Sequence, residues 1–383
     1  MPKLLIAHGG GPTAVINASL AGAISAARKS GKVTGILAAD HGSGGILQRR
    51  FLNLDSLTEE DLEELKQSPA SAIGTGRTPL EAPDYEEMAR ILQEEGIGYV
   101  LFTGGNGSMD TCGKLGRACA GTGILVGGIP KTVDNDIDQI DHAPGYPSAA
   151  RFAAQTMREI GMDIASMPIH VCIVEYMGRN SGWITAATCL AREQEGDAPD
   201  LILLPEVPFR EEAFLEKVSQ VWKQGHGVTV AVSEGLVGED GKPVTPPVFT
   251  SGRATYFGDV SSYLTRLVIE KLGVKARCEK PGILGRCCRE MVSGLDREEA
   301  FRLGELAAET LLDGKGGWMP GLKRVSDDPY QTEEVLIPVE QVMLHERLFP
   351  KSFISPDGFD VTPEFVRWVK PLIGETLPRR FRL

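Results

Sequence analysis

The feature that most restricts the fold is a repeated unit: a short apolar run, a glycine-rich turn and then a helix-forming stretch. The unit occupies residues 3–29, "KLLIAHGGGPTAVINASLAGAISAARK", and returns at residues 98–118, "GYVLFTGGNGSMDTCGKLGRA". Further apolar runs in "GILVGGIP", "HVCIVEYMG" and "GVTVAVSEG" continue the same plan. Strands that alternate with helices favour a largely parallel sheet with helices on its faces. The sequence therefore predicts an α/β protein.

The length of the chain predicts two domains. A chain of 383 residues exceeds what one ordinary hydrophobic core accommodates. The sequence contains no low-complexity linker, so the boundary is expected at a simple chain crossing, near Pro144–Gly145.

Charge and cysteine content exclude several classes of function. There are 40 Lys and Arg residues against 52 Asp and Glu residues, a net charge of −12, which disfavours nucleic-acid binding but leaves room for a local basic pocket. The seven cysteines are scattered and odd in number, as expected of reduced cytosolic thiols. No apolar stretch approaches the length of a membrane span. We expect a cytoplasmic protein without nucleic-acid or membrane partners.

The stretch "PKTVDNDIDQID", residues 130–141, places one lysine among four aspartates directly after an apolar run and a glycine pair. Carboxylates this close raise one another's pKa values unless a cation or a ligand offsets the repulsion. Phosphoryl transfer uses these residue types: a carboxylate that takes a hydroxyl proton, a carboxylate for Mg²⁺ and cations on the phosphates. A solvated loop is the alternative, but the position at a strand end favours a site.

The two glycine turns allow more than one interpretation. Gly9, Gly11 and Ala14 fit the G-x-G-x-x-A pattern of dinucleotide-binding proteins, and a plain tight turn would look the same. The second turn, "TGGNGSMDT", disfavours a nicotinamide enzyme, because Ser108 there could cap the next helix and offer its hydroxyl to a phosphate. The aspartate cluster has no role in hydride transfer.

Four ordered motifs, "GGGPTAVINASLAG", "GGNGSMDT", "PKTVDNDI" and "EYMGRNSGWITAA", resemble the phosphofructokinase family. "VSEG" and "LGVKARCEKPGILGR" extend the resemblance to about residue 300, and "PLIGE" resembles the tail of the pyrophosphate-related bacterial branch. The resemblance implies two Rossmann-like lobes with largely parallel sheets, each a three-layer sandwich. The donor and Mg²⁺ lobe would comprise residues 1–143 and about 285–320, and the sugar-phosphate lobe residues 144–284 and about 321–383.

The resemblance also implies a role for individual residues. Asp134 would be the base on the sugar 1-hydroxyl, Thr132 would hold that hydroxyl, and Asp136 would support the metal. The full catalytic set is Asp134, Thr132, Lys131 and Arg179. The Gly10 N–H would face the transferred phosphoryl group, and Arg77 would bind the donor phosphates. The full donor set is Gly10, Arg77, Gly105, Asn106, Gly107 and Ser108. The metal ligands would be Asn106 and Asp136.

The acceptor site implied by the resemblance includes two arginines for the 6-phosphate, Arg277 and Arg286. Arg277 usually reaches across a subunit interface in the family, so we expect a homodimer or homotetramer. The full acceptor set is Thr132, Asp134, His170, Met177, Gly178, Arg179, Glu234, Arg277, Ile283 and Arg286.

The chain departs from the family pattern at both ends of the site. Asn106 and Gly107 stand where acidic side chains are usual, so the metal must depend on Asp136 and the donor's own oxygens. At the sugar end, Ile283 replaces His or Tyr and Gly285 replaces Gln. His170 replaces the Arg of many ATP-dependent members. These changes leave the acceptor sugar open.

The expected reaction is the phosphorylation of fructose 6-phosphate at its 1-hydroxyl to give fructose 1,6-bisphosphate, with Mg²⁺. Gly107 favours ATP as donor, because the pyrophosphate branch places there an Asp that repels an α-phosphate. Lys131 occurs in both branches and discriminates poorly. The alternatives are a pyrophosphate-dependent enzyme, a non-catalytic sugar-phosphate sensor, for which the missing acids would be the clue, and a nicotinamide-dependent oxidoreductase.

Overall fold

The computed structural model describes residues 1–251, 254–343 and 345–381. Its strands are β1 (Lys3–His8), β2 (Ile36–Ala39), β3 (Phe51–Asn53), β4 (Ile97–Gly104), β5 (Leu125–Pro130), β6 (Val171–Tyr176), β7 (Leu201–Leu203), β8 (Val228–Ser233), β9 (Pro247–Ser251), β10 (Ala254–Phe257), β11 (Ala276–Glu279), β12 (Trp318–Asp327) and β13 (Tyr330–Pro338). Its α-helices are α1 (Ile16–Ser30), α2 (Ser43–Leu47), α3 (Glu59–Gln67), α4 (Ala82–Glu94), α5 (Asn106–Ala118), α6 (Tyr146–Ser166), α7 (Trp183–Ala187), α8 (Glu211–Trp222), α9 (Val260–Leu272), α10 (Gly294–Leu312), α11 (Val339–Val342) and α12 (Pro363–Val369).

The chain forms two compact units. The first comprises Met1–Ser148 and Arg286–Arg347, and the second Ala149–Gly285 and the described part of Leu348–Leu383. The predicted second crossing near residue 320 is wrong, because β12 and β13 form an antiparallel hairpin that belongs to the first unit. The hairpin packs beside β5, where a Cβ on Gly128 would lie 3.6 Å from the Met319 Cβ.

The first unit contains, within the described residues, a five-stranded sheet in the order β3-β2-β1-β4-β5. Strands β2, β1, β4 and β5 run parallel, and β3 is an antiparallel edge strand. Successive β1 residues face opposite sides of the sheet. Leu4 and Ile6 pack with α1 and α10, whereas Leu5 and Ala7 pack with α4 and α5. This gives the predicted three layers, and the carboxyl ends of β1, β4 and β5 lie at one edge.

The second unit contains, again within the described residues, a four-stranded parallel sheet in the order β11-β6-β8-β7. Its core is formed by the valines and leucines of these strands and by the apolar faces of α8 and α9. A buried aromatic cluster holds α7 against the C-terminal segment, with the Trp183 ring 4.8 Å from that of Phe349 and 5.0 Å from that of Trp368. The prediction of an α/β fold with two largely parallel sheets is confirmed.

Candidate active site

The turn between β1 and α1 contains three consecutive glycines, Gly9, Gly10 and Gly11. Gly10 has φ +76°, a left-handed conformation that favours glycine. A Cβ on Gly9 would lie 2.3 Å from the Ser108 Oγ. The Gly10 N–H donates to the carbonyl of Gly76 at 3.0 Å, so the prediction that it faces the donor does not fit this structure. The neighbouring Gly11 N–H, by contrast, makes no hydrogen bond within the described residues.

The second glycine turn joins β4 to α5, which begins at Asn106. The N-cap residue is Gly105, and its carbonyl accepts from the backbone N–H of Ser108 at 2.9 Å. The prediction that Ser108 caps this helix is therefore wrong, because the helix begins two residues before it. The Ser108 hydroxyl instead lies against the first glycine turn. Gly107 is open to solvent, with no atom within 4 Å of the position of a Cβ.

The aspartate-rich loop follows β5 and contacts the second turn. The Thr132 Oγ1 accepts from the backbone N–H of Asp134 at 3.1 Å, which fixes the start of the loop. The Asn106 Nδ2 donates to the Asp136 carbonyl at 2.9 Å and to its Oδ2 at 3.1 Å. The Asn106 Oδ1 and the Asp136 Oδ1 are buried and have no hydrogen-bond partner among the residues that the structure describes. Two such oxygens, one of them a carboxylate, suit a hard cation that takes its remaining ligands from water and phosphate.

Lys131 connects the aspartate-rich loop to the first turn. Its side chain is buried, and its Nζ donates to the Gly11 carbonyl at 2.6 Å. Burial lowers the pKa of Lys131 to about 8, although Asp134 and Asp136 act in the opposite direction. The guanidinium groups of Arg77 and Arg286 lower this pKa further. Such a lysine responds strongly to an anion bound beside it.

Two arginines lie against the first glycine turn. A Cβ on Gly11 would lie 2.8 Å from the Arg286 Nη1 and 3.7 Å from the Arg77 Nη2. The resemblance predicts Arg77 beside the donor phosphates, whereas it predicts Arg286 at the 6-phosphate of the sugar. The Arg286 guanidinium thus lies near Gly11 in the first unit, and its role at the 6-phosphate stays a prediction.

In the second unit, the Met177–Gly178–Arg179 motif follows β6 directly. Gly178 has φ +122°, and its N–H donates to the Glu234 Oε1 at 3.3 Å. The Ser233 hydroxyl donates to the Gly178 carbonyl. The structure therefore brings Glu234 and the Met-Gly-Arg motif together, as predicted from the resemblance.

Among the remaining predicted acceptor residues, His170 lies near Arg277. The turn that carries Ile283 lies against the Met-Gly-Arg motif, since a Cβ on Gly285 would lie 3.6 Å from the Met177 Cε. His170 is 3% exposed, and burial together with Arg277 and Lys275 lowers its pKa. Arg277 is exposed on the edge strand β11, and its Nε donates to the Glu279 Oε1 at 2.8 Å. Ile283 is 65% exposed.

The sequence of this chain is similar to those of known proteins over most of its length. Residues 3–311 match the sequence model of the family described as Phosphofructokinase. The chain belongs to the phosphofructokinase family. It is 35% identical, over 100% of its length and 96% of the relative, to a pyrophosphate–fructose 6-phosphate 1-phosphotransferase of Rhodospirillum rubrum. It is also 33% identical to a sulfofructose kinase of Alkalicoccus urumqiensis, over 92% of each chain.

A solved structure supports the same family. The pyrophosphate-dependent phosphofructokinase of Nitrosospira multiformis superposes with a TM-score of 0.90 at 35% identity, covering 100% of this chain and 94% of that one. As a phosphofructokinase, the protein is a phosphotransferase, which is evidence against the nicotinamide hypothesis and against a non-catalytic sensor. In the described part of the chain, no helix combines the length and apolar character needed to cross a bilayer.

Sequence reasoning missed the residues that hold the aspartate-rich loop of this phosphofructokinase. His142 is 1% exposed and lies between two carboxylates, 2.8 Å from the Asp141 Oδ2 and 2.8 Å from the Glu299 Oε2. Burial alone would lower its pKa, but Glu299 and Asp141 raise the pKa to about 9. Arg324 on β12 donates to the same Asp141 oxygen at 2.9 Å. Glu299 is 157 residues from His142 in sequence, and Arg324 is 183 residues from Asp141, so no local pattern could reveal these contacts.

Proposed function

We propose that this chain transfers a phosphoryl group from inorganic pyrophosphate to the 1-hydroxyl of fructose 6-phosphate. The products are fructose 1,6-bisphosphate and orthophosphate. The observation that carries this proposal is the similarity, over the whole chain and at about 35% identity, to enzymes named for that reaction. The proposed donor, pyrophosphate, therefore differs from ATP, the donor that Gly107 taken alone favours.

ATP remains the second candidate donor, because one structural observation favours it. A Cβ on Gly107 would meet nothing within 4 Å, so this end of α5 neither blocks nor repels a nucleotide α-phosphate. The comparisons support pyrophosphate over the whole chain, whereas Gly107 is a single position. We therefore rank pyrophosphate first.

The catalytic roles follow from the residues of the aspartate-rich loop. The Asp134 carboxylate takes the proton of the sugar hydroxyl as the oxygen attacks the phosphorus, and the bond to the leaving phosphate breaks. Thr132 orients the start of the loop through its bond to the Asp134 N–H. Lys131 supplies positive charge to the leaving phosphate. In the second unit, Arg179 offers a planar fork that matches phosphate oxygens.

The chemistry of two side chains fits a Mg²⁺ ion. The Asn106 Oδ1 and the Asp136 Oδ1 would hold it, since both are buried oxygens without another partner. When bound, Mg²⁺ neutralises charge on the donor phosphates. Within the described residues, no cluster of three or more His, Cys, Asp or Glu could hold a metal.

The acceptor is the second point on which the sequence and the comparisons differ. Ile283 and Gly285 replace the larger polar side chains usual near the 6-phosphate, and one similar relative is named a sulfofructose kinase. A sugar that carries a sulfonate is therefore the candidate alternative acceptor. Fructose 6-phosphate is preferred because the relative from Rhodospirillum rubrum is 35% identical over 100% of the chain, whereas the sulfofructose kinase is 33% identical over 92% of it.

Assembly into a homo-oligomer is also part of the proposal. Arg277 is exposed on β11, the edge strand of its sheet, where its guanidinium is accessible to a neighbouring subunit. The molar mass in solution, measured by light scattering, tests this directly. A strict monomer that retains full activity would contradict it.

The function is tested by initial rates with purified protein and Mg²⁺ in a matrix of two donors and two acceptors. The donors are pyrophosphate and ATP, and the acceptors are fructose 6-phosphate and 6-deoxy-6-sulfofructose. We expect the highest kcat/KM for pyrophosphate with fructose 6-phosphate. Turnover with ATP alone would reject the donor, and turnover with the sulfonate alone would reject the acceptor.

A further inference from the structure

The chain segment that follows α11 holds the aspartate-rich loop through Arg347. The Arg347 N–H donates to the Asp136 carbonyl at 2.8 Å. The Arg347 Nη1 donates to the Ile140 carbonyl at 3.1 Å and also to the Asp141 carbonyl. Arg347 therefore contacts both ends of the stretch 136–141, although it lies 207 residues from Ile140 in sequence.

The backbone of this loop takes a conformation that needs outside support. Asn135 and Gln139 have φ +52° and +67°, in the left-handed region that residues other than glycine seldom adopt. Such a backbone persists only where the surrounding structure holds it. The Asn135 turn is held by its own side chain, whose Oδ1 accepts from the Ala143 N–H at 3.0 Å. The Gln139 turn is followed directly by the two carbonyls that the Arg347 side chain binds.

The guanidinium of Arg347 lies where its charge is partly removed from water, and this burial lowers its pKa. A buried cation costs free energy unless hydrogen bonds compensate for the lost water. Two of the acceptors of Arg347 are main-chain carbonyls. A hydrogen bond to a carbonyl fixes the path of the chain, whereas one to a carboxylate fixes only a side chain. Arg347 thus restrains the backbone of the loop.

Asp136 links these restraints to the proposed Mg²⁺ site. Its carbonyl accepts from the Arg347 N–H and, at 2.9 Å, from the Asn106 Nδ2, which also donates to its Oδ2. Its Oδ1 is buried and, in the part of the chain that the structure describes, has no hydrogen-bond partner. Mg²⁺ demands a nearly ideal octahedral set of oxygens, so a small shift of this loop would weaken its binding.

We propose that Arg347 is a positioning residue for phosphoryl transfer, whose side chain holds the aspartate-rich loop so that the Asp136 carboxylate can bind Mg²⁺. The inference rests on the proposed function and goes beyond it, because Arg347 lies outside the motifs that resemble the family. Arg347 acts through the loop and not by contact with the donor or the sugar.

Binding of Mn²⁺, a paramagnetic substitute for Mg²⁺, tests the inference without turnover. The EPR signal of free Mn²⁺ is recorded during titration of the wild type, Arg347→Gln and Arg347→Lys. Each sample contains methylenediphosphonate, an analogue of pyrophosphate that is not cleaved, and no sugar, and a protein-free titration is the reference. We expect Arg347→Gln to weaken Mn²⁺ binding about 10- to 100-fold, as the loss of a group that orients a metal ligand does. Arg347→Lys keeps the charge but not the guanidinium fork, so its affinity should lie between those of the other two proteins.

The matched control is Arg28→Gln. Arg28 lies on α1 of the same unit and donates to the carbonyls of Leu54 at 3.0 Å and Leu57 at 2.7 Å. The control therefore loses the same kind of bond at a loop without a proposed role, and its Mn²⁺ affinity should equal that of the wild type. The Tm of each protein shows whether it is folded, and Arg347→Lys carries the comparison if Arg347→Gln does not fold.

Steady-state kinetics separate positioning from substrate binding. In Arg347→Gln, the Mg²⁺ concentration that gives half the maximal rate should rise, and the KM for fructose 6-phosphate should be unchanged. Wild-type Mn²⁺ affinity in both Arg347 variants, or an equal loss in Arg28→Gln, would overturn the inference. Turnover by the wild type with pyrophosphate and fructose 6-phosphate reports separately on the proposed function.

Discussion

Lys131 donates a hydrogen bond from its Nζ to the carbonyl oxygen of Gly11 across 2.6 Å, and so joins two segments 120 residues apart. One segment is the aspartate-rich loop that carries Asp134, and the other is the first glycine turn. An ammonium group has three N–H donors, and this bond uses one of them. The bond therefore couples the position of the proposed base to that of the proposed phosphate site while leaving donors for a ligand.

The first prediction concerns the proposed base. Asp134→Asn keeps the shape of the side chain but cannot accept the hydroxyl proton, so kcat should fall about 10²- to 10⁴-fold. The KM for fructose 6-phosphate should be unchanged, because the amide still occupies the same place. Steady-state kinetics with the preferred donor provide the measurement.

The matched control for this change is Asp138→Asn, in the same loop. Among the described residues, the Asp138 carboxylate accepts hydrogen bonds only from its neighbour Gln139. It should retain wild-type kcat. An equal fall in kcat in the two variants would show that the loop tolerates no Asp-to-Asn change. It would contradict a specific role of Asp134 as the base.

The second prediction concerns the choice of donor at Gly107. A carboxylate in Gly107→Asp should repel a nucleotide α-phosphate, so kcat/KM for ATP should fall at least about tenfold while that for pyrophosphate is kept or improved. Gly107→Asn, with the same shape and no charge, is the control. If both variants change the ATP-to-pyrophosphate ratio equally, then size and not charge decides the donor.

The third prediction is a pH dependence of donor binding. The pKa of Lys131 is lowered to about 8, so the charged form that attracts phosphate disappears as the pH rises through 8. The KM for pyrophosphate should therefore rise between pH 7 and pH 9. Lys131→Arg stays charged over that range, and its KM profile should be flatter. If the KM of the wild type and that of Lys131→Arg depend on pH in the same way, the titrating group is pyrophosphate itself and not Lys131.

The fourth prediction concerns stability and His142. Its folded pKa, about 9, exceeds the ordinary value of 6.5, so its contribution to stability is complete below pH 6.5 and is lost as the pH rises through 9. His142→Gln should cost about 3–5 kcal/mol at pH 6, because it leaves the Glu299 carboxylate without its cation and the Asp141 carboxylate with Arg324 alone. The loss in Tm relative to the wild type should shrink by pH 10. A loss independent of pH would mean that packing, not charge, is what His142 contributes.

Much of the fold could be predicted from the sequence, because apolar runs followed by glycine turns are local signals. The capping box of α3, for example, is visible as Thr58 followed by Asp61 three residues later, and both of its hydrogen bonds are present. The hairpin of β12 and β13 could not be predicted. Its first strand contains Pro320 and Gly321, residues that are depleted from strands, and its stability comes from packing on β5.

The candidate site was predicted less completely than the fold. The motifs placed Asp134, Asp136 and Lys131 correctly on one loop, because a strand end followed by charged residues is a local pattern. The position of Arg286 beside Gly11 could not be predicted, because it depends on how the chain returns to the first unit after residue 285. Likewise, the N–H bond of Gly10 to Gly76 depends on a loop more than sixty residues away.

The central claim is tested most directly by ³¹P NMR of the wild-type protein with Mg²⁺, pyrophosphate and fructose 6-phosphate. The account predicts that the pyrophosphate resonance disappears while orthophosphate and a new phosphomonoester at the sugar 1-position grow in equal amounts. A parallel sample with ATP should react more slowly. Persistence of the pyrophosphate resonance while ATP is converted to ADP would contradict the account.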